Sequence, residues 1–564
     1  MSHITGAEAA VRMLELNGVR HIFGLCGDTS LPFYDALAQL EHGMTHVLTR
    51  DERSAAYMAD GYARVTGKVG VCEGPSGGGA TYLLPGLVEA NESCIPVLGI
   101  TSDVPVLSRG RYPLTELDQR ALYRPLTKWN TVCDRAEQVP HAFRSAFRMM
   151  TTGRPGAAHI CLPYDVMKQS LDTGEVWAQP GHDRYPAWPG VAAPDALAAA
   201  AEAMKQARRP VFICGGGVIT ASASAALEKL ATLLDAPVCT TVSGKGSISE
   251  RHPLSAGVVG SNGGVVATRE VVQQADLVIF IGCRAGSTTT EHWKYPSRDI
   301  PIVHIDVDPS VISANYKTAH ALVGDARLTL EALCGLMDVD APKRGRSDFN
   351  GEAIVARARK AKFDAFQRLA NENVRPIRPE RVLSDLHKVL PRDAIVVADP
   401  GTPCPYVSGY YEVLEAGRTF LTNRAHGALG YSLPAALGAW FGRPQAKCVS
   451  LMGDGSFGFA VGELETVVRC KAPLMMIVFS NSSYGWIKAS QKASYGQRYF
   501  SVDFARTDHA RIAEGYGVRS WKVEDPQALG AILREAAEHD GPALVDVIAQ
   551  PLEDAAAPVL QWMG

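Results

Sequence analysis

The stretch Leu451–Gly485, LMGDGSFGFAVGELETVVRCKAPLMMIVFSNSSYG, decides the fold. It opens in an apolar run that breaks at Gly453–Asp454–Gly455. A helical pattern with Glu463, Leu464 and Thr466 follows, and a second apolar run ends at Asn481–Ser482–Ser483–Tyr484–Gly485. Short apolar runs without polar alternation read as strands buried on both faces, as in a parallel sheet covered by helices. Two strand ends therefore carry Asp454 and Asn481, 27 positions apart, to one edge. Open α/β sheets bind ligands at that edge. A carboxylate, an amide oxygen and a backbone carbonyl make a hard-oxygen set suited to Mg2+, with phosphate and water completing the octahedron.

The same alternation extends outward in both directions. Val69–Cys72, Val97–Thr101 and Ala158–Leu162 read as strands, as do Pro210–Cys214, Leu277–Ile281 and Ile302–Ile305. Ala394–Ala398, Cys448–Met452, Leu474–Ser480 and Ala543–Ile548 complete the set. The class is α/β, with several doubly wound units in series and mainly parallel sheets. Gln179–Asp195 is rich in Pro, Gly and Ala, and Asp338–Gly351 is polar and charged. Both have the composition of exposed boundaries. They divide the chain into domains at 1–178, 195–337 and 352–564. Lys343–Ser347 is expected to be a solvated loop.

Of the 564 residues, 56 are Lys or Arg and 59 are Asp or Glu, a net charge of −3 that excludes a general nucleic-acid binder. The apolar runs are far shorter than the ~20 residues needed to span a bilayer, so no membrane partner is expected. Met1–Gly6 has no basic segment followed by an apolar one, so no secretory signal is expected. The 12 cysteines form no C-x-x-C pair, and several sit in or beside apolar strands. They read as buried thiols of a reduced, cytoplasmic protein rather than disulfides or zinc ligands.

The GDG…N stretch closely resembles the thiamin-diphosphate motif of the acetolactate-synthase/2-oxo acid decarboxylase superfamily. That resemblance implies three domains: pyrimidine-binding, central and diphosphate-binding. It makes Asp454, Asn481 and the carbonyl of Ser483 the Mg2+ ligands, with Gly453, Gly455, Ser456, Tyr484 and Gly485 around the cofactor. The family has two successive asparagines; here the first is Ser480. Asn423–Ala439, NRAHGALGYSLPAALGA, matches a second family stretch from Gly427 onward. Leu429 falls where the family places the apolar residue that bends the cofactor. Asp399–Pro400–Gly401–Thr402 ends another strand and resembles the loop whose backbone approaches the diphosphate; glycine permits such an approach.

Thr49–Arg64, TRDERSAAYMADGYAR, resembles the family stretch whose glutamate hydrogen-bonds the pyrimidine ring, and this assigns Glu52 to proton sharing with the cofactor. By itself Glu52 also reads as a surface residue at a helix start. Asp28 in FGLCGDTSLPFYDAL is either the cap of the following helix or an acid/base group, as in pyruvate-decarboxylase-like proteins. Gly74–Gly79, GPSGGG, resembles the glycine-rich turn near the substrate pocket, which includes Ser76. Glu116, Thr127 and Lys128 lie in PLTELDQRALYRPLTKW, which resembles acetolactate synthases and benzaldehyde-lyase-like enzymes. Thr115 stands near their active-site glutamine.

Trp486, Ile487 and Gln491 replace the stretch that biosynthetic acetolactate synthases carry there, so acceptor choice is expected to differ. Trp486 and Ile487 are expected beside the substrate. In the middle third, Cys214–Gly217 and Gly282–Thr290 lack the charged pattern of FAD-binding relatives, so FAD is not favoured. The resemblance implies decarboxylation of a 2-oxo acid, with carboligation to an aldehyde or ketone acceptor. The alternatives are C–C cleavage of a 2-hydroxy ketone or 2-hydroxyacyl-CoA by the same activated cofactor, and a flavin-linked oxidase. It further implies a homodimer or homotetramer.

Overall fold

The computed structural model describes residues 3–337 and 349–562. The segment Lys343–Ser347 and most of the boundary Asp338–Gly351 lie outside the described residues. The chain forms two compact units. One comprises Met1–Trp188, Asn423–Gln445 and Ala460–Ala472; the other holds the remainder. The chain leaves the first unit at Trp188, inside the Pro- and Gly-rich stretch.

The first unit is built on a six-stranded sheet in the order Thr45–Leu48, His21–Gly24, Gly70–Gly74, Val97–Asp103, Ala158–Pro163, Trp129–Val132. Every pairing is parallel. The chain first adds a strand on one side of His21–Gly24 and then continues on the other, so the order reverses between His21–Gly24 and Gly70–Gly74. A crevice opens at the carboxyl ends of the strands at such a reversal. Helix Glu52–Thr66 is capped by Asp51, whose side chain accepts from the backbone N–H of Arg53, and it stops at Gly67 with a φ of +70°. Helix Ser432–Gly442 packs on it with backbones nearly touching. A Cβ on Gly61 would run into the carbonyl of Ala435, and one on Gly438 into that of Met58. These two glycines of the family-like stretches therefore serve helix packing.

The second unit holds two more six-stranded parallel sheets. One runs Ser255–Val258, Val238–Thr240, Pro210–Cys214, Leu277–Ile281, Ile302–Asp306, His320–Val323. The other runs Phe420–Thr422, Ile395–Ala398, Cys448–Gly453, Met475–Ser480, Ala543–Ile548, Arg519–Val523. Their reversals fall between Pro210–Cys214 and Leu277–Ile281, and between Ile395–Ala398 and Cys448–Gly453. All ten strands read from the sequence are present. All 12 cysteines are free and nine are buried, as expected for small core residues. Among the described residues, no helix is long and apolar enough to cross a membrane.

Candidate active site

At the reversal of the last sheet, strand Cys448–Gly453 delivers Asp454 and strand Met475–Ser480 delivers Asn481. One carboxylate oxygen of Asp454 accepts the backbone N–H of Asn481 at 2.8 Å and of Ser482 at 2.6 Å; the other accepts that of Gly455 at 2.9 Å. Ser482 holds a φ of +58°, which bends the chain round the carboxylate. Burial pushes the Asp454 carboxyl up from its ordinary value, and the three N–H donors pull it back. The Asn481 side-chain oxygen lies 3.3 Å from both the N–H and the hydroxyl of Ser483. Gly485 leaves room for Thr402: a Cβ there would stand 3.4 Å from the threonine hydroxyl.

The residues fit a divalent cation and a diphosphate. Asp454 sits against the short turn that carries the Asn481 amide and the Ser483 carbonyl, and all three offer hard oxygens. Among the described residues, no group of three or more His, Cys, Asp or Glu side chains could hold a metal ion, so this mixed set relies on an amide and a backbone carbonyl. Gly401, with a φ of +94°, and Gly453 each present bare backbone to open space. Gly455 does not: the ring of Tyr484 lies 2.8 Å from where its Cβ would be. Ser456 is buried beside it.

Ser480, the departure from the family pattern, joins a buried network. Its hydroxyl donates to Asp546 and lies 2.9 Å from His509 Nδ1, while Asp546 also accepts the backbone N–H of His509 at 3.1 Å. His509 and Asp546 escaped the sequence reading, because nothing in their spacing links them to Asn481. Trp486, Ile487 and Gln491 lie on helix Gly485–Ser494. Trp486 packs on the core near Trp562, Ile487 is exposed, and Gln491 exchanges two hydrogen bonds with the backbone of Phe500.

In the first unit, Glu52 begins its helix but is only 7% exposed, which removes the surface reading. Its Cγ lies 3.2 Å from where a Cβ on Gly74 would stand, and its Oε1 lies 3.0 Å from that of Gly79. The glycine-rich turn is what makes room for this carboxyl. Burial, then the charges of Asp51 and Glu73, push Glu52 up, against its own backbone N–H. Glu73 was missed. It is buried, accepts from Tyr34, and lies 3.2 Å from His46 Nε2. Burial raises its carboxyl too, and the Tyr34 and His46 contacts oppose the rise.

Asp28 opens a short helical turn, is exposed, and among the described residues makes no hydrogen bond. The following helix, Leu31–Gln39, has no side-chain cap, so Asp28 is not its cap. Ser76 and Thr115 are joined hydroxyl to hydroxyl at 2.7 Å. Lys128 reaches the carbonyls of Met149 and Thr152 at a helix end, and Glu116 accepts the N–H of Gly110.

The loop with exposed Gly427 and half-buried Leu429 is held by Glu89, also missed, which accepts the N–H groups of Ala425 and His426. Arg64 bridges Glu89 and Asp60, and Tyr431 donates to Asp60. Glu463 accepts the N–H of Arg50 at 3.0 Å and so fixes the approach to Glu52.

Parallel sheets that bring a wrapped carboxylate, an amide and bare glycine backbone to one edge, and a buried carboxyl to another, define a cofactor-dependent α/β enzyme. Family models sharpen this. Those for the thiamine pyrophosphate enzyme N-terminal TPP-binding, central and C-terminal TPP-binding domains match residues 4–122, 197–333 and 399–547. The chain is 34% identical to a probable acetolactate synthase large subunit of Methanococcus aeolicus, over 97% of this chain and 92% of that one. It is 35% identical, with the same coverage, to a protein of the same description from Methanocaldococcus jannaschii. It is 30% identical to glyoxylate carboligase of Escherichia coli O157:H7, over 97% and 93%. The chain belongs to the thiamin-diphosphate-dependent enzymes, in the acetolactate-synthase-like superfamily.

Proposed function

We propose that this enzyme decarboxylates a 2-oxo acid and transfers the remaining carbon unit to an aldehyde or ketone acceptor, using thiamin diphosphate and Mg2+. The turn Asn481–Ser483 wrapped on Asp454 supports the reading, because a carboxylate, an amide and a backbone carbonyl near a sheet edge are ligands suited to Mg2+. Two relatives named for condensing activities, an acetolactate synthase and a glyoxylate carboligase, support the carboligation step.

Asp454, Asn481 and the Ser483 carbonyl hold Mg2+. The backbone of Gly401–Thr402, Gly453–Ser456 and Tyr484–Gly485 receives the diphosphate, and Leu429 supports the body of the cofactor. When bound, the cofactor supplies a nucleophilic carbon and then a sink for the electrons that CO2 leaves behind. Glu52 holds a proton against the pyrimidine ring, a task suited to a carboxyl whose burial favours its protonated form. Asp28 offers an unpaired carboxylate as the acid/base group for the substrate carbon. The proposed domains are 1–178, 195–337 and 352–564, and the proposed assembly is a cytoplasmic homodimer or homotetramer. FAD is not part of the proposal: the glycines at the middle sheet's edge are used in packing, with Gly217 2.6 Å, at its would-be Cβ, from Gly282 Cα.

The test is CO2 release from a panel of 2-oxo acids with added thiamin diphosphate and Mg2+, in the native protein and Glu52→Gln. Native turnover falling by about 10²–10⁴ in the variant, at unchanged cofactor affinity, is the expected result. Full activity in Glu52→Gln defeats the mechanism. Cleavage of 2-hydroxy ketones without CO2 release replaces the reaction by a lyase.

A further inference from the structure

Four hydroxyls form one chain at the order reversal of the first sheet. Thr29 follows strand His21–Gly24, Ser76 follows its neighbour Gly70–Gly74, and Ser102 sits near the end of the next strand, Val97–Asp103. Thr115 arrives on a loop. Thr29 Oγ1 donates to Ser76 Oγ at 3.0 Å and lies 2.7 Å from Ser102 Oγ. Ser76 Oγ lies 2.7 Å from Thr115 Oγ1, and Thr115 donates to the carbonyl of Leu114.

Proton counting fixes the direction of the chain. Each hydroxyl has one hydrogen to give. The Thr29 hydrogen goes to Ser76 and the Thr115 hydrogen to Leu114, so Ser102 must give to Thr29 and Ser76 to Thr115. All four hydrogens are then spent inside the protein; Thr29 Oγ1 also accepts the backbone N–H of Ser76 at 3.0 Å, so the lone pairs left over belong to Ser102, Ser76 and Thr115. Among the described residues, no Lys or Arg hydrogen-bonds any of the four. Asp28, directly before Thr29, adds a further acceptor.

The backbone is strained to build this chain. Thr115 holds a φ of +72°, which is costly for a β-branched residue. Gly77, at +68°, admits it: a Cβ there would stand 2.8 Å from the Thr115 Cβ. The same turn ends at Gly79, against which Glu52 lies.

Resting on the proposed 2-oxo acid reading, we propose that the Ser102–Thr29–Ser76–Thr115 chain is a specificity site that accepts a hydrogen bond from a hydroxyl on the substrate's carbon chain. The substrate class is a hydroxylated 2-oxo acid. A row of lone pairs beside Asp28 repels a carboxylate and leaves an alkyl group without a partner, whereas a hydroxyl donates into it. Sites that hydrogen-bond a substrate hydroxyl discriminate strongly against analogues lacking it.

Hydroxypyruvate and 2-oxobutanoate differ only by a hydroxyl against a methyl, so their kcat/KM ratio reads the site. The native enzyme should favour hydroxypyruvate by at least about tenfold. Thr115→Val frees the Ser76 hydrogen and should bring the ratio close to one, while Thr115→Ser should keep it. Ser76→Ala provides a second disruption without the strained backbone and should also lower the ratio. A native ratio at or below one, or a ratio unmoved by both disruptions, overturns the proposal. If neither acid nor any other member of the 2-oxo acid panel is turned over, the 2-oxo acid reading fails. Fluorescence titration of the cofactor-loaded protein with the same two acids then decides this one: tighter hydroxypyruvate binding supports the hydroxyl site, and equal binding rejects it.

Discussion

The first and last sheets share one strand order and each buries a carboxyl at its reversal, yet the two edges treat the charge differently. Asp454 is wrapped by three backbone N–H groups, which favour the ionised form against the cost of burial. Glu52 has only its own N–H as a counterweight, and the charges of Asp51 and Glu73 add to the burial effect. Burial raises both carboxyls, but one edge surrounds its carboxyl with N–H donors that favour the charge and the other does not. The middle sheet has a different strand order with a reversal of its own, and there the glycines pack backbone on backbone. Strand order supplies the crevice, and a few side chains after the strands decide its chemistry.

Removing the charge at the last edge should have the largest effect. Asp454→Asn keeps the shape but offers the cation an amide where a carboxylate stood. Mg2+-dependent thiamin diphosphate affinity, followed by fluorescence titration, should fall by more than the ~100-fold typical of losing an outer-shell partner. Native affinity in this variant would mean that the three N–H groups serve only to close a turn.

A smaller change tests what supports that edge. Ser480→Ala takes from buried Asp546 the hydroxyl that donates to it, and from His509 its neighbour. Leaving a buried acceptor unsatisfied costs about 1–3 kcal/mol, to be read from denaturant unfolding. Cofactor affinity at fixed Mg2+ should weaken about tenfold, because Ser480 immediately precedes Asn481. An unchanged unfolding midpoint together with unchanged affinity would make the network dispensable.

The sequence exposed some parts of this design and hid others for physical reasons. Every strand read from it is a central or next-to-edge strand whose apolar run is covered on both faces. The six edge strands of the three large sheets, such as Thr45–Leu48 and Arg519–Val523, went unread. Thr45–Leu48 and Arg519–Val523 carry exposed polar positions, which break the apolar run that marks a buried strand. The Asp454–Asn481 pair was legible because both residues end long buried runs. Glu73, Glu89 and Asp546 were not, because a buried acid looks like any other acid until its partners arrive from distant segments. The hydroxyl chain draws on four separate segments, so only the fold assembles it.

The last test bears on the proton-holding edge. Glu73 is raised by burial, so in the folded protein it stays protonated at pH values where the unfolded chain has already ionised. Its contribution to stability is therefore complete below the ordinary carboxyl value of ~4.5, and is lost as pH rises towards the folded value. Glu73→Gln cannot ionise and still offers Tyr34 an oxygen. Near pH 4.5 the two proteins should differ by no more than about 1 kcal/mol, the worth of one hydrogen bond. Towards pH 8 the variant should lose less stability than the native chain, giving a flatter curve in denaturant unfolding. Parallel curves would show that Glu73 is already ionised in the folded protein, paired with His46, and the contrast between a charge-holding and a proton-holding edge would then rest on Glu52 alone.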